Sequence, residues 1–296
     1  MDADFLKEEV RGGFLVDAKR KRLWAAMLDM VEVFLDICEK HHLRYFAVGG
    51  TLLGAVRHRG FIPWDDDVDL AMPRKDYERF LEVAPAMLPE HLALTNKRNE
   101  PDNPHLYFSR IRNRNTTHIT KFAQECRINH GVFIDIFPED GLPTGKKGRR
   151  FLDHLVLLRR LDRKYRASWK DCPTWRSKML LLPFRCLRLF AGPDFFYFRQ
   201  EQWIRKYDFD HSDLAFHFWH TISSQAIHDK HCFDEYILLD FEHLKLRCPA
   251  GYDKYLKEKY GDYMQYPPVE ERKGFHESVV VDCDRPYTDY WPVRKS

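Results

Sequence analysis

The chain has 296 residues, 44% apolar and 31% charged, which supplies a sizeable core and excludes wholesale disorder. Its 48 Lys and Arg against 45 Asp and Glu leave a net charge of only +3, a poor balance for a dedicated nucleic-acid binder. No apolar run reaches the roughly 18 residues of a membrane span, no basic-then-apolar leader opens the chain, and the 7 Cys lack C-x-x-C spacing, so a cytoplasmic location is expected.

After an N-terminal extension over 1–16, residues 17–42 form an amphipathic helix in which Leu23, Met27, Met30, Phe34 and Ile37 recur on one face. A short strand over 44–48 ends at Gly49-Gly50. Thr51 then N-caps a helix to His58. Residues 60–64 make a loop. Asp67 to Met72 alternates acid and apolar as a strand, and Pro73 opens a helix to Met87. Strands are expected over 92–96 and 105–112, with Ser109 and Ile111 on one face and Arg110 and Arg112 on the other. The run Val132 to Phe137 is a strand stopped by Pro138. Residues 17–140 are therefore mixed α/β.

The turn residues 141–145 mark a boundary. Residues 146–208 are mainly helical, 236–247 form a strand, and 253–260 form a helix ended by Gly261. This divides the chain into 1–16, 17–145, a helical insertion over 146–235, and a C-terminal segment over 236–296. Met179 to Phe190 mixes apolar residues with Arg. Its first reading is a core helix bent at Pro183; the alternative is a surface helix lying against a membrane. His211, His217, His220, His228, His231 and Cys232 cluster without a standard zinc spacing, so packed or surface histidines are expected there.

The segment that carries chemistry is Gly49-Gly50-Thr51 followed by Asp65-Asp66-Asp67-Val68-Asp69. Carboxylates this close repel one another, and they stay in a fold either in water or on cations. On a strand Asp67 and Asp69 point the same way, about 7 Å apart, a seat for Mg²⁺. Asp135 lies between Ile134 and Ile136, where an unpaired acid is costly; a third ligand role would explain it. A solvated acidic turn is the plain alternative. An EF-hand fails, because Leu70 and Asp76 stand where Gly and Glu belong. A glycine turn that lets backbone N–H groups approach a phosphate, then Asp-x-Asp, then a third Asp follows the logic of two-metal phosphoryl transfer.

The stretch from Gly49 through Arg57 and Trp64 to Asp69 resembles the signature of the LicD family. Those are phosphocholine transferases of bacterial surface glycans, related to the fukutin-type ribitol-phosphate transferases. Residues 74–80, 133–138, 140–143, 252–256 and 260–264 continue the resemblance, which covers 20–145 and 240–276. It implies a nucleotidyltransferase-like fold, a small mixed sheet flanked by helices, followed by a mainly helical second part. It implies transfer of phosphocholine, or a related alcohol phosphate, from CDP-choline or another CDP-alcohol to a glycan or glycolipid hydroxyl, releasing CMP. Asp67, Asp69 and Asp135 would be metal ligands and catalytic acids for Mg²⁺, with Mn²⁺ as the alternative. Gly49, Gly50 and Thr51 would face phosphate, with Arg57 and Arg110 as basic contacts; salt bridges are the competing reading for both. Trp64, ahead of Tyr107 and Trp291, is the candidate face for a quaternary ammonium. Work at the inner face of a membrane, with peripheral contact, is compatible with such an acceptor. The alternative activity is transfer of NMP with release of pyrophosphate.

Overall fold

The computed structural model describes residues 3–103, 107–169, 174–217, 226–274 and 276–291. In chain order it contains β1 (Glu9–Arg11), β2 (Phe14–Val16), α1 (Ala18–Lys40), β3 (Phe46–Ala47), α2 (Gly49–His58), β4 (Asp69–Pro73), α3 (Arg74–Met87) and β5 (Leu92–Thr95). Then follow β6 (Ser109–Asn113), β7 (Thr117–Thr120), β8 (Val132–Leu142), α4 (Gly145–Arg166), α5 (Trp175–Ala191), α6 (Phe195–Ile204), β9 (Leu214–Phe216) and β10 (Ile227–Asp229). The chain closes with β11 (Tyr236–Phe241), β12 (Leu244–Pro249), α7 (Tyr252–Tyr260) and β13 (Ser278–Asp282). The class is mixed α/β, as the resemblance implied. Two compact units divide it: residues 1–139 with 231–296, and residues 140–230.

The first unit is built on a mixed sheet in the order β3-β4-β8-β6-β5, with only β4 and β8 parallel. Register puts Asp69 beside Asp135, Asp135 beside Arg110, and Arg110 beside Thr95. Directly paired residues share a face, so these four side chains form one polar row across four strands. The opposite face carries Leu70, Ile111, Ile134 and Ile136, all fully buried. Helices α1 and α3 belong to that side: Tyr77 of α3 meets Ser109 Oγ at 2.6 Å, and Phe34 of α1 packs on Phe80 of α3 at 5.2 Å. Asp17 caps α1 by accepting from Arg20 N–H, and the expected apolar stripe is the buried one.

Several local expectations are corrected. Strand β8 does not stop at Pro138. Asp135 N–H donates to Val68 O, so alternation turns the nitrogen of residue 138 away from β4. Pairing with β6 has ended at Ile136 by then, so no ladder bond is lost. Strand β4 begins at Asp69, which leaves Asp67 in the preceding turn. Gly49 and Gly50 are the first residues of α2, and Val48, not Thr51, is its N-cap. Residues 236–249 are a hairpin rather than one strand, turning at Glu242 with φ of 54°. The hairpin β1–β2 and the β7–β13 pair were not expected, because three- to five-residue strands give little periodicity.

The second unit packs α4 against α6: Phe151 stacks on Trp203 at 5.7 Å, and Trp203 Nε1 donates to Phe151 O. The core reading of 179–190 is corrected here. These residues lie in α5, where Leu181 alone is buried. No helix among the described residues is long and apolar enough to cross a membrane.

Phe34 is fully buried between Tyr45 and Phe80 at the centre of the first unit. Phe34→Ala is expected to lower the unfolding free energy by about 3–5 kcal/mol, read by urea denaturation followed by circular dichroism.

Candidate active site

The acidic turn is held by its backbone. Arg20 and Trp24 lie one turn apart on α1. Arg20 donates to Trp64 O and Asp65 O, each at 2.8 Å, and Trp24 Nε1 donates to Asp65 O at 3.0 Å. Trp24 also stacks on Phe61 at 4.6 Å. From the other side Glu242 accepts from Phe61 N–H at 3.0 Å, while Arg11 grips Glu242 at 2.5 Å. The turn therefore presents its carboxylates in a fixed direction.

That direction is the N-terminus of α2. A Cβ on Gly49 would stand 2.8 Å from Asp69 Oδ2, and one on Gly50 would stand 2.6 Å from Asp65 Oδ2. Gly49 also has φ of +57°. Only glycine fits at both positions, and their absence of side chains brings two carboxylates to the positive end of a helix. Thr51 Oγ1 accepts from Asp69 N–H at 2.8 Å, which ties the start of β4 to the same turn.

The proton affinities record the crowding. Burial, then the neighbouring carboxylates Asp65, Asp69 and Asp66, push Asp67 well up. Burial, with Asp135 and Asp65, pushes Asp69 up to about 8. Burial pushes Asp65 up to about 6. Asp66 moves the other way. Burial opposes its charge, yet hydrogen bonds and positive charge from His276 hold it below the ordinary carboxylate range. His276 Nδ1 lies 3.4 Å from Asp66 and 3.8 Å from Asp67.

These contacts assemble a ligand set. Single donor atoms of Asp66, Asp67 and His276 lie within 4.8 Å of one another. Asp69 Oδ1 is buried and has no hydrogen-bond partner among the described residues. Carboxylate oxygens with one imidazole suit Mg²⁺ or Mn²⁺, and a cation there would offset the repulsion just described. Helix α7 adds a positive charge: half-buried Lys259 lowers the proton affinity of Asp69.

The other expected site residues divide. Asp135 is fully buried and doubly gripped by Arg110, Nε to Oδ1 at 2.6 Å and Nη2 to Oδ2 at 3.2 Å. That ion pair, with the Arg110 guanidinium 3.8 Å from the Phe133 ring centroid, already explains an acid inside an apolar strand. Arg57 is committed elsewhere. It donates to Tyr263 O at 2.8 Å and Gln265 O at 3.1 Å, and sits over the Tyr266 ring. Trp64 is 8% exposed, packed edge-on by Phe14, His58 and Tyr266, with Arg272 already 5.5 Å from its ring centroid. It is a packing residue rather than an open face for a quaternary ammonium.

Trp291 takes a different place. It lines a cavity of about 1130 Å³ with Thr95, Glu100, Asn129 and Tyr287. Thr95 ends the polar row, so this cavity lies at the edge of the same sheet face. Of the histidine-rich stretch, His211 and His231 pair with Asp208 and Asp234, and His220 lies outside the described residues. Sequence reasoning missed Asp66 and Lys259 as site residues. His276 closes the 240–276 stretch of the resemblance.

Carboxylates and a guanidinium on one sheet face are chemically suited to phosphate groups. Residues 42–154 match the family model for the LicD/FKTN/FKRP nucleotidyltransferase domain. The chain is 26% identical over 265 residues to the lipopolysaccharide cholinephosphotransferase LicD of Haemophilus influenzae, spanning 84% of this chain and 92% of that relative. It is 41% identical over 51 residues to human ribitol 5-phosphate transferase FKRP, spanning 17% of this chain and 10% of that one. An uncharacterized protein of Rickettsia typhi is 37% identical over 89 residues, 28% of this chain and 29% of its own. Residues 42–154 thus carry the LicD/FKTN/FKRP-type nucleotidyltransferase domain, and the chain is a transferase enzyme.

The raised proton affinity of Asp69 has a sign. Its folded-state carboxyl ionises at about 8 against an ordinary 3.8, so the folded state binds more protons across that window and loses stability as pH rises through it. In EDTA, Asp69→Asn should gain melting temperature relative to wild type between pH 4 and pH 8, reaching about 1–2 kcal/mol at the top of that range. Thermal unfolding at a pH series checks this.

Proposed function

We propose that this protein transfers phosphocholine, or a related alcohol phosphate, from a CDP-activated donor such as CDP-choline to a sugar hydroxyl of a surface glycan, releasing CMP. The observation that carries the reading is the meeting of Asp66, Asp67 and His276, close to an Asp69 whose Oδ1 has no hydrogen-bond partner among the described residues and whose Oδ2 faces the N-terminus of α2. Similarity along 92% of a lipopolysaccharide cholinephosphotransferase supports the choline phosphate and the glycan.

Asp67 and Asp69, with Asp66 and His276 beside them, would hold Mg²⁺, or Mn²⁺ as the alternative. When bound, such an ion neutralises the diphosphate and lowers the barrier for the incoming hydroxyl. The chain's own residues do the positioning. The start of α2 offers backbone N–H groups and its dipole to a phosphate oxygen. Lys259 supplies a point charge on the side of Asp69. Arg110 is locked by Asp135, so its planar guanidinium meets the donor in one orientation without reorganising. We therefore assign Asp135 to holding Arg110 rather than to accepting the hydroxyl proton, because both of its oxygens are already engaged by the guanidinium. The cavity lined by Thr95, Glu100 and Trp291 takes the part of a substrate that extends beyond the phosphates. The hydroxyl oxygen attacks the phosphorus that bears the alcohol, and the bond to CMP breaks.

The test is CMP release from CDP-choline with Mg²⁺ and a glycolipid acceptor extract. Asp67→Asn should cut the rate at least about 10²-fold while preserving shape. Lys259→Ala should raise the KM for the donor more than it lowers kcat. Pyrophosphate release from a nucleoside triphosphate in place of CMP would assign NMP transfer instead. Equal CMP release by Asp67→Asn would refute the role of the cluster.

A further inference from the structure

Helix α5 is the most exposed apolar element of the described chain. Trp175 is 70% exposed, Met179 58%, Leu180 70%, Leu189 83% and Phe190 89%. Large side chains in such a run rarely face water without a partner. The helix is not frayed or accidental. Thr174 and Ser177 form a reciprocal capping box, and the helix runs 17 residues to Gly192.

Most of the exposed apolar residues are ordered on one arc, with Leu180 and Leu187 lying outside it. At about 100° per residue, Trp175, Met179, Leu182, Cys186, Leu189 and Phe190 fall within an arc of about 100°. Leu181 and Phe184 lie on the other side of the helix. Leu181 is buried, and Phe184 contacts Phe196 of α6 at 6.4 Å. One face thus packs on the second unit, and the opposite face is apolar and open. The charge is one-sided as well. Arg176, Lys178, Arg185 and Arg188 interleave with the apolar residues, and the helix holds no Asp or Glu. Lys178 and Arg185 border one edge of the open arc and Arg176 the other, where long side chains reach out to headgroups while the arc enters the acyl boundary.

We infer that α5 is an in-plane anchor that docks the protein on an anionic phospholipid bilayer. The apolar arc supplies burial, and the cations select a negative surface. The helix lies along the surface and does not span it, in keeping with its length and the absence of a spanning helix among the described residues. This inference stands on the exposure and charge of α5 alone, whatever donor the active site uses. It would place the enzyme where a lipid-linked acceptor resides.

The experiment is flotation of the full chain with vesicles of equal parts phosphatidylglycerol and phosphatidylcholine, beside vesicles of phosphatidylcholine alone. The wild type is expected to float with the anionic vesicles, less so as salt rises. Leu189→Glu combined with Phe190→Glu should weaken binding at least about tenfold. Should that variant misfold by circular dichroism, Lys178→Glu with Arg185→Glu, which leaves the apolar arc in place, should lose the preference for anionic vesicles. Val269→Glu, at an exposed apolar position off the helix, should bind as wild type. Failure of the wild type to float, or undiminished binding by both α5 variants, would overturn the inference. Vesicle-independent self-association abolished by Leu189→Glu with Phe190→Glu, without any flotation, would overturn it in favour of a protein partner.

Discussion

Everything in the first unit answers to one constraint: four carboxylates within five residues, Asp65, Asp66, Asp67 and Asp69, must be kept together against their own repulsion. The fold restrains them through backbone rather than through countercharge. Arg20 and Trp24 hold carbonyls, Glu242 holds an amide, and Thr51 holds another. The carboxylates thereby face one another, with His276 beside Asp66 and Asp67. Segments far apart in the chain, the N-terminal hairpin, α1, the β11–β12 turn and residue 276, converge on this turn. A solvated acidic turn would need none of them.

The parallel pairing of β4 with β8 does the second job. It sets Asp69 beside Asp135, and the antiparallel β6 then sets Arg110 on the far side of Asp135. A carboxylate oxygen with no hydrogen-bond partner among the described residues and a locked guanidinium thus share one sheet face, with Asp135 between them. Opposite charges so arranged suit the diphosphate of the proposed donor: acids to seat a cation and a guanidinium to meet the oxygen anions. The bidentate grip on Asp135 supports the proposed role of that acid in positioning Arg110.

Much of this was legible in sequence, for identifiable reasons. The long amphipathic stripe of α1, the glycine pair and the acidic run are local signals, and the LicD resemblance rests on them. What escaped was non-local. Arg57 looks like a phosphate contact because it follows the glycine turn, yet it folds back onto carbonyls of 263 and 265. Trp64 looks like a cation cage because it adjoins the acids, yet Tyr266 and Arg272 enclose it. Asp66 looks like any acid of the run until residue 276 is brought against it. Pro138 looks like a strand end because one-dimensional reasoning cannot see that its missing N–H faces a vacant edge. The stretch 179–190 was ambiguous for a related reason: the apolar-plus-arginine pattern is the same in a bent core helix and in an interfacial one, and only exposure separates them.

The central claim is that the turn is built for a divalent cation. Its most direct test is calorimetric titration of the full chain with Mn²⁺ near neutral pH, wild type beside Asp69→Asn and His276→Ala. The account predicts saturable binding by wild type, loss in Asp69→Asn, and weaker binding in His276→Ala. No binding by wild type, or binding that Asp69→Asn leaves unchanged, would contradict it.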